Sequence, residues 1–333
     1  AGRKQSTYES YRNSMARLVT FLKHDTASRV TPEDIVACVS AEEAIYLCTR
    51  VIVRPGDHIV ASFPAYQSSY EVARSIGAEV SLWQGKPAAK DGVATWTFDL
   101  EELRALLRPN TRLITVNFPN NPTGATLSER DLRAIAALAE EKGIYLMSDE
   151  VYRFMEYREE DRLPGATDLY ERAISIGAMS KSFALAGLRV GWIATRDKDL
   201  VREALAYKDY TTICGSVPSE LLAIMALRAK ADVLARTQGI LEENLTLART
   251  FMREHERYFE WFAPQAASVA FPRLRANVPV AAFAEELVQA EGVMLLASNV
   301  FGYDGNHFRL GLGRKNLAPA LQRLGRFARA KLG

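Results

Sequence analysis

The sequence predicts an α/β protein built around a mainly parallel β-sheet with helices on both faces. Short apolar segments rich in β-branched residues alternate, over most of the chain, with segments of helical periodicity. Several of the apolar segments end in a polar side chain, which is typical of sheets whose ligand lies at the carboxyl ends of the strands. A long helical stretch then leads to shorter strands and a terminal helix, and this part predicts a smaller α+β domain.

Seven segments are predicted to form the main sheet. They span residues 34–39, 57–63, 79–83, 112–118, 144–149, 171–177 and 189–195. The segments 42–53, 70–77 and 128–143 have the apolar spacing of amphipathic helices. Because a helix between two strands carries the chain back across the sheet, this alternation favours parallel pairing.

The second part of the chain is predicted to begin with a pair of helices. The helical pattern runs from residue 218 to 259 and breaks at Gln238 and Gly239. Short strands are predicted within 268–274, 293–298 and 307–313, and a terminal helix is predicted over 317–332. Between the two parts, the segment 208–220 interrupts the periodicity with polar and β-branched residues and is predicted to be a loop.

Composition favours an enzyme that acts on small molecules. The 333 residues are enough for about two domains of ~150 residues each. The 42 basic and 40 acidic residues leave a net charge of +2, which indicates neither a nucleic acid nor an anionic membrane as partner. No apolar run approaches the ~18 residues of a membrane span, and no signal peptide opens the chain, so we expect a cytoplasmic protein. Cys38, Cys48 and Cys214 form no metal-binding motif and are expected to be buried thiols.

Lys181 is the most informative residue of the sequence. It lies in the run AMSKSFALAGLRVGW, and Arg189 follows it eight positions later in a glycine-containing turn. A lysine amine can form a Schiff base with an aldehyde, and nearby hydroxyls with a fixed cation can hold a phosphate. Pyridoxal phosphate carries both groups. The alternative is a surface lysine in a serine-rich loop, and residues elsewhere in the chain argue against it.

Chemically suited side chains follow the predicted strands in order. SAEEAI begins a helix at Ser40, where free amides would face an anion. Tyr66, Asn121 and Asp149 come at or just after the ends of three strands, and Tyr152 lies three residues beyond Asp149. Each also has an ordinary structural interpretation, because Asn and Asp form turns and tyrosine packs at strand ends. Together with Lys181 they indicate a cofactor site.

The motifs NPTG, SDEVY, SKSFALAGLRVGW and FRLGLG, in this order, resemble those of the class I/II aminotransferases. The chain is similar to these pyridoxal-phosphate-dependent enzymes of fold type I, within the aspartate aminotransferase superfamily, from about Ser40 to the C-terminus. The resemblance implies a transferase of amino acid metabolism. It also implies a large domain over residues 31–240, a small domain over 241–333, and an N-terminal segment over 1–30.

The resemblance also implies roles around the cofactor ring. Asp149 would keep the pyridine nitrogen protonated, and Asn121 and Tyr152 would donate hydrogen bonds to the phenolic oxygen. Tyr66 resembles the aromatic residue that stacks on the ring. Lys181 would be both the Schiff-base lysine and the general base, so Lys181, Asp149 and Tyr152 are the implied catalytic residues.

The phosphate and the substrate have implied ligands as well. The amides of Ala41 and Glu42, the Ser180 hydroxyl and the Arg189 guanidinium would bind the phosphate. Arg309, together with Asn121, would bind the substrate α-carboxylate. Two positions depart from the common family pattern, since Ser40 replaces a frequent glycine and Ala178 replaces a frequent serine.

Transamination by a ping-pong mechanism, between an α-amino acid and a 2-oxo acid, is the leading interpretation. The alternative on the same fold is β-elimination, β-replacement or cyclisation, as in the capreomycidine-synthase relatives of the family. A nicotinamide dehydrogenase is disfavoured because no G-x-G-x-x-G follows a strand. A non-catalytic effector domain is disfavoured because no helix-turn-helix precedes the fold. The family also implies a homodimer, with Tyr8 reaching the neighbouring subunit's phosphate. No metal is expected.

Overall fold

The computed structural model describes residues 30–90 and 92–333. Its largest element is an eight-stranded sheet that confirms the predicted α/β class. The strands are β1 (Ile35–Cys38), β2 (His58–Phe63), β3 (Glu79–Lys90), β4 (Val93–Phe98), β5 (Thr111–Asn117), β6 (Tyr145–Asp149), β7 (Ala173–Ala178) and β8 (Gly191–Thr195). Their order across the sheet is β1-β8-β7-β6-β5-β2-β3-β4.

The pairing of the strands is mainly parallel. The five central strands β3, β2, β5, β6 and β7 run in one direction. β8 runs antiparallel to both β7 and β1, and β4 runs antiparallel to β3. All seven predicted strands form, and β4 is an eighth that was not predicted. It is held by Trp96, which is buried against Phe262 and Phe271 from distant parts of the chain.

Six helices are associated with this sheet. They are α1 (Ala41–Ile52), α2 (Ser68–Ile76), α3 (Leu100–Leu106), α4 (Glu129–Lys142), α5 (Ala166–Leu169) and α6 (Lys198–Lys208). Consecutive residues of one strand, such as Leu113 and Ile114, belong to two different apolar clusters on opposite faces. One face packs α1, α2 and α6, and the other packs α3, α4 and α5.

Most of the remaining elements share an apolar cluster beside the sheet, whereas the first helix among them packs with residues of β1 and β8. The helices are α7 (Val217–Arg228), α8 (Lys230–Glu254), α9 (Val280–Glu291) and α10 (Leu317–Leu332). The strands are β9 (Phe259–Glu260), β10 (Val269–Ala270), β11 (Arg273–Leu274), β12 (Leu296–Ala297) and β13 (Phe308–Gly311). β10, β13 and β12 form a three-stranded antiparallel sheet, and β11 pairs with β9.

The predicted helix break at Gln238 and Gly239 is wrong. The chain breaks at Ala229 instead, and Gly239 lies inside α8. Glycine in a helix interior costs only about 1 kcal/mol, and the buried side chains of Leu241, Leu245 and Phe251 hold this helix in place. The domain boundary proposed near residue 240 therefore falls within a continuous helix.

The cysteines are not all buried as expected. Cys38 and Cys48 are buried, but Cys214 is exposed in the loop between α6 and α7. Within residues 30–90 and 92–333, the structure contains no cluster of His, Cys, Asp or Glu suited to a metal ion. In the same part of the chain, no helix has both the length and the apolar character that crossing a bilayer requires.

Candidate active site

The parallel strands bring the predicted residues to one edge of the sheet. Asp149 ends β6, while Tyr66 and Asn121 lie three and four residues beyond the ends of β2 and β5. Lys181 lies three residues beyond β7. Because these strands are parallel neighbours, their carboxyl ends point the same way and form a crevice for a ligand.

The N-terminus of α1 reaches the same edge through a close approach to β8. A Cβ atom added to Gly191 would lie 2.7 Å from the Ser40 carbonyl carbon and 2.8 Å from the Ala41 nitrogen. Any side chain at position 191 would clash with this backbone, so the close approach of β8 to the start of α1 requires glycine. The Ser40 hydroxyl accepts a hydrogen bond from the Glu43 amide at 3.3 Å and so caps the helix. The amides of Ala41 and Glu42 have no partner within the helix and can bind an anion.

Asp149 is a buried acid without a strong cationic partner. Burial raises its pKa to about 7, and the lowering effects of the Val151 amide and of Lys181 do not offset this. Its Oδ1 accepts a hydrogen bond from the Val151 amide at 3.1 Å. A protonated pyridine nitrogen would supply the missing positive charge and keep the carboxylate ionised.

A hydrogen-bonded chain connects Asp149 to Arg309. The side-chain amide of Asn117 donates to the Asp149 carbonyl at 3.2 Å, and its Oδ1 accepts from the Asn121 amide at 2.8 Å. Asn121 Oδ1 then accepts from Arg309 Nη1 at 3.1 Å. Asn117 was not predicted, although its position at the end of β5, opposite Asp149 in the sheet register, is a signal that sequence reasoning could have used.

Lys181 lies beside Tyr152, with Nζ 5.8 Å from the centre of the tyrosine ring. Burial lowers the pKa of Lys181, and Arg309 lowers it further, while Asp149 and Glu42 act in the opposite direction. The Ser182 hydroxyl donates to the carbonyls of Val151 and Arg153 and fastens the lysine loop to the segment after β6. This role of Ser182 was also not predicted.

The two aromatic residues of the site differ in exposure. Tyr152 is buried, and burial raises its pKa to about 12, with Arg309 acting in the opposite direction. Tyr66 is 44% exposed, which leaves its ring free to cover a planar ligand. The charge of Glu42 is the largest cause of the raised pKa of Tyr66. Tyr70, one helical turn beyond Tyr66, is buried and donates a hydrogen bond to the Phe301 carbonyl at 3.1 Å.

Arg189 lies in a turn two residues before Gly191, which contacts the N-terminus of α1. Its backbone is left-handed, with φ 53° and ψ 52°, a conformation that non-glycine residues adopt rarely. Its guanidinium is exposed, and Nη1 donates to the Ala186 carbonyl at 3.3 Å. Ser180 is half-buried directly before Lys181, and Ala178, which ends β7, offers no hydroxyl.

Beneath the N-terminus of α1 lies a buried ion pair that the sequence did not predict. Lys208 Nζ is 3.0 Å from Glu43 Oε1, and the Thr212 hydroxyl also contacts this carboxylate. Glu43 Oε2 accepts from the Val39 amide at 2.7 Å. The pair joins α6 to the turn that presents the amides of Ala41 and Glu42.

These groups fit pyridoxal phosphate on three independent counts. Asp149 is a buried carboxylate that needs a cation, the α1 amides with Arg189 suit a phosphate, and Lys181 supplies an amine whose pKa is lowered. Tyr8, predicted to reach a neighbouring subunit, lies outside the described residues.

The chain matches the family model described as aminotransferase class I and II over residues 4–324. It belongs to the class I and II aminotransferase family. Its members are pyridoxal-phosphate-dependent enzymes, so the predicted cofactor and enzyme class are confirmed. The neighbouring solved structures confirm fold type I.

Several proteins are similar to the chain along most of its length. Capreomycidine synthase of Streptomyces vinaceus is 32% identical, over 93% of the chain and 80% of the relative. The structure of a PLP-dependent aminotransferase from Streptococcus suis superposes with a TM-score of 0.85 at 34% identity, covering 96% of the chain and 81% of the other. The PLP-dependent cyclase OrfR superposes with a TM-score of 0.81 at 30% identity, covering 90% and 79%.

Proposed function

We propose that this aminotransferase-family enzyme moves the amino group of an α-amino acid to a 2-oxo acid by a ping-pong mechanism. The observation that carries the proposal is the contact of Arg309 with Asn121, at the same strand edge as Lys181 and Asp149. A guanidinium fork suits the two oxygens of an α-carboxylate. Binding there would place the substrate amine and α-carbon beside the lysine.

Each residue of the site has a step that follows from its environment. Bound pyridoxal phosphate supplies an electron sink for the pair of electrons left when the α-proton is removed. Lys181 Nζ removes that proton and returns it, and its lowered pKa favours the neutral amine that this step needs. Asp149 holds the pyridine nitrogen, while Asn121 and Tyr152 orient the ring through its phenolic oxygen.

The remaining residues bind rather than react. Tyr66 covers the ring, and the Ala41 and Glu42 amides, Ser180 and Arg189 hold the phosphate. The test is to add single amino acids to the holoenzyme without any oxo acid. The proposal predicts a change in the visible absorbance of the cofactor and release of one equivalent of the matching 2-oxo acid. No such half-reaction with any amino acid would refute it.

A second candidate reaction is elimination, replacement or ring closure at the side chain of the bound amino acid. Two similar proteins favour it, because one is named capreomycidine synthase and another a PLP-dependent cyclase. Lys181 and Asp149 would serve this reaction equally, since removal of the α-proton precedes both outcomes. Formation of pyruvate or a cyclised amino acid, with no amino acceptor present, would select this candidate.

We also propose that the enzyme is a homodimer and that its partner covers an exposed apolar surface on and before α7. This surface consists of Tyr210, Ile213, Leu221, Leu222 and Met225, each at least half exposed. So much apolar surface in one segment is typical of an interface. Light scattering of a Leu222→Glu/Met225→Glu variant should give the monomer mass, whereas an unchanged mass would place the interface elsewhere.

The division into a cofactor domain over 31–240, a small domain over 241–333 and an N-terminal segment is also part of the proposal. The apolar clusters support it, since two lie on the faces of the large sheet and a third, formed mostly by residues after 240, packs the three-stranded sheet. A cytoplasmic location remains the prediction made from composition.

A further inference from the structure

Glu42 places a second carboxylate in the active site. It is the second residue of α1, directly at the helix end that faces the crevice. Its neighbour Glu43 is turned into the protein and is paired with Lys208, but the Glu42 side chain is exposed. The sequence analysis assigned only the backbone amide of Glu42, so the side chain has no role in the reaction described above.

The surroundings of Glu42 show that its carboxylate faces the reacting groups. Desolvation raises its pKa, while the hydroxyls of Ser68 and Tyr66 and the charges of Lys181 and Arg189 lower it. The Glu42 charge in turn raises the pKa values of Tyr66 and Asp149. The hydroxyls of Ser68 and Tyr66 thus lie against the Glu42 carboxylate. Because Glu42 and Tyr66 are both exposed, a polar group on a ligand can reach both side chains.

The charges of the site leave Glu42 without a cationic partner once the cofactor and an amino acid are bound. Arg189 is then committed to the phosphate, and Arg309 to the α-carboxylate. Asp149 is committed to the protonated pyridine nitrogen. Lys181 must be neutral to accept the α-proton, and an unpaired Glu42 works against this because it raises the lysine pKa. A positive charge beside Glu42 would pair with its carboxylate and would offset its raising effect on the Lys181 pKa.

We infer that Glu42 is a specificity-determining residue that binds a cationic side chain, a guanidinium or an ammonium group, on the amino acid substrate. This inference rests on the proposed function, because it assumes that Arg309 holds the α-carboxylate. The Tyr66 hydroxyl completes the site, since its oxygen can accept a hydrogen bond from an N–H group of the same cation. The substrate class is thus a basic α-amino acid.

The test compares amino acids that differ mainly in side-chain charge. L-Arginine is matched with L-citrulline, and L-lysine with L-norleucine, in the half-reaction of the holoenzyme. The native protein should favour the cationic member of at least one pair at least tenfold in kcat/KM. Glu42→Gln should reduce that ratio at least tenfold, and Glu42→Lys should reverse the preference, favouring L-glutamate over L-glutamine. The control Glu71→Gln removes an exposed carboxylate of α2 and should leave the ratio unchanged.

A binding measurement separates this inference from the proposed reaction. Calorimetric titration of Lys181→Ala holoprotein, with and without Glu42→Gln, gives the affinity for each amino acid without turnover. Tighter binding of the cationic amino acid, lost in the Glu42→Gln variant, supports the inference even if no amino acid reacts. Equal affinity within both pairs overturns it, even if transamination is observed. A Glu42→Gln variant that changes only the affinity for pyridoxal phosphate also overturns it.

Discussion

Arg309 and Asn121 are 188 residues apart in sequence, and Arg309 Nη1 donates a hydrogen bond to Asn121 Oδ1 at 3.1 Å. Arg309 lies on β13 of the small sheet, and Asn121 follows β5 of the large sheet. The contact therefore joins the two parts of the molecule at the point where the substrate carboxylate is proposed to bind. In the proposed mechanism, Asn121 takes part in both substrate binding and cofactor orientation.

Replacing the Arg309 guanidinium should lower kcat/KM for amino acids more than it lowers the affinity for pyridoxal phosphate. Arg309→Lys keeps the charge but cannot form a bidentate pair with a carboxylate, so we expect kcat/KM for amino acids to fall roughly 10- to 100-fold. The affinity for pyridoxal phosphate should stay within about twofold of the native value. As a control, Arg273→Lys changes an exposed arginine paired with Glu260 and should have little effect. Equal losses in both variants would contradict the assigned role.

Asp149 should make the cofactor-free protein less stable as pH rises. Burial raises its pKa from the usual 3.8 to about 7, so the folded protein prefers the protonated acid. The stabilising contribution is complete below pH ~4 and is lost as pH rises through 7. Between pH 4 and pH 8 the loss is on the order of 4 kcal/mol.

Asparagine at this position should abolish that pH dependence. Urea unfolding of the apoprotein at pH 5 and pH 8 should show Asp149→Asn to be more stable than the native protein at pH 8, with a smaller difference at pH 5. A native apoprotein whose stability is equal at the two pH values, or an Asn variant with the same pH response, would show that Asp149 is not desolvated as described.

Arg189 should distinguish pyridoxal phosphate from pyridoxal. A charge-assisted hydrogen bond contributes about 1.5–3 kcal/mol, so Arg189→Gln should weaken pyridoxal phosphate binding roughly 10- to 100-fold. Binding of pyridoxal, which lacks the phosphate, should change little. Equilibrium dialysis with each compound provides the comparison. If both affinities fell by the same factor, the guanidinium would not be a phosphate ligand.

Removing one charge of the buried pair of Lys208 and Glu43 should destabilise the protein strongly, whereas replacing both residues by neutral ones should destabilise it little. Lys208→Met leaves the Glu43 carboxylate buried without a cation, and we expect a loss of about 3–5 kcal/mol in the free energy of unfolding. Lys208→Met/Glu43→Gln should recover most of it. Lys86→Met, which breaks an exposed pair with Glu102, should cost about 1 kcal/mol or less. Additive effects in the double variant would show that the two charges do not interact.

Residues that follow parallel strands could be predicted from the sequence, because strand ends and turn residues are local signals. Asp149 and Asn121 were found in this way, Lys181 was found from its own motif with Arg189, and the structure places all three at one edge of the sheet. Contacts between distant segments could not be predicted. Lys208 and Glu43 are 165 residues apart, and nothing in the local sequence of either residue indicates that they pair.

Packing between distant segments also determined the secondary structure at two places where the prediction from local sequence was wrong. Gly239 has a low helix propensity, yet the helix continues through it because the buried face of α8 stabilises the helix. β4 is rich in β-branched and aromatic residues, so its signal was present in the sequence and was missed, and Trp96 packs it against Phe262 from the second half of the chain. The side chain of Glu42 gave no signal, because the sequence alone does not show which of two adjacent glutamates faces the site.

The central claim is that Lys181 carries the cofactor, and reduction of the holoenzyme tests it directly. Sodium borohydride fixes pyridoxal phosphate covalently to the amine that holds it, and mass spectrometry of the digested protein locates that amine. The account predicts the phosphopyridoxyl group on the peptide containing Lys181, and no labelling of a Lys181→Ala variant. Attachment to a different lysine, such as Lys208, or no attachment at all in protein saturated with the cofactor, would contradict it.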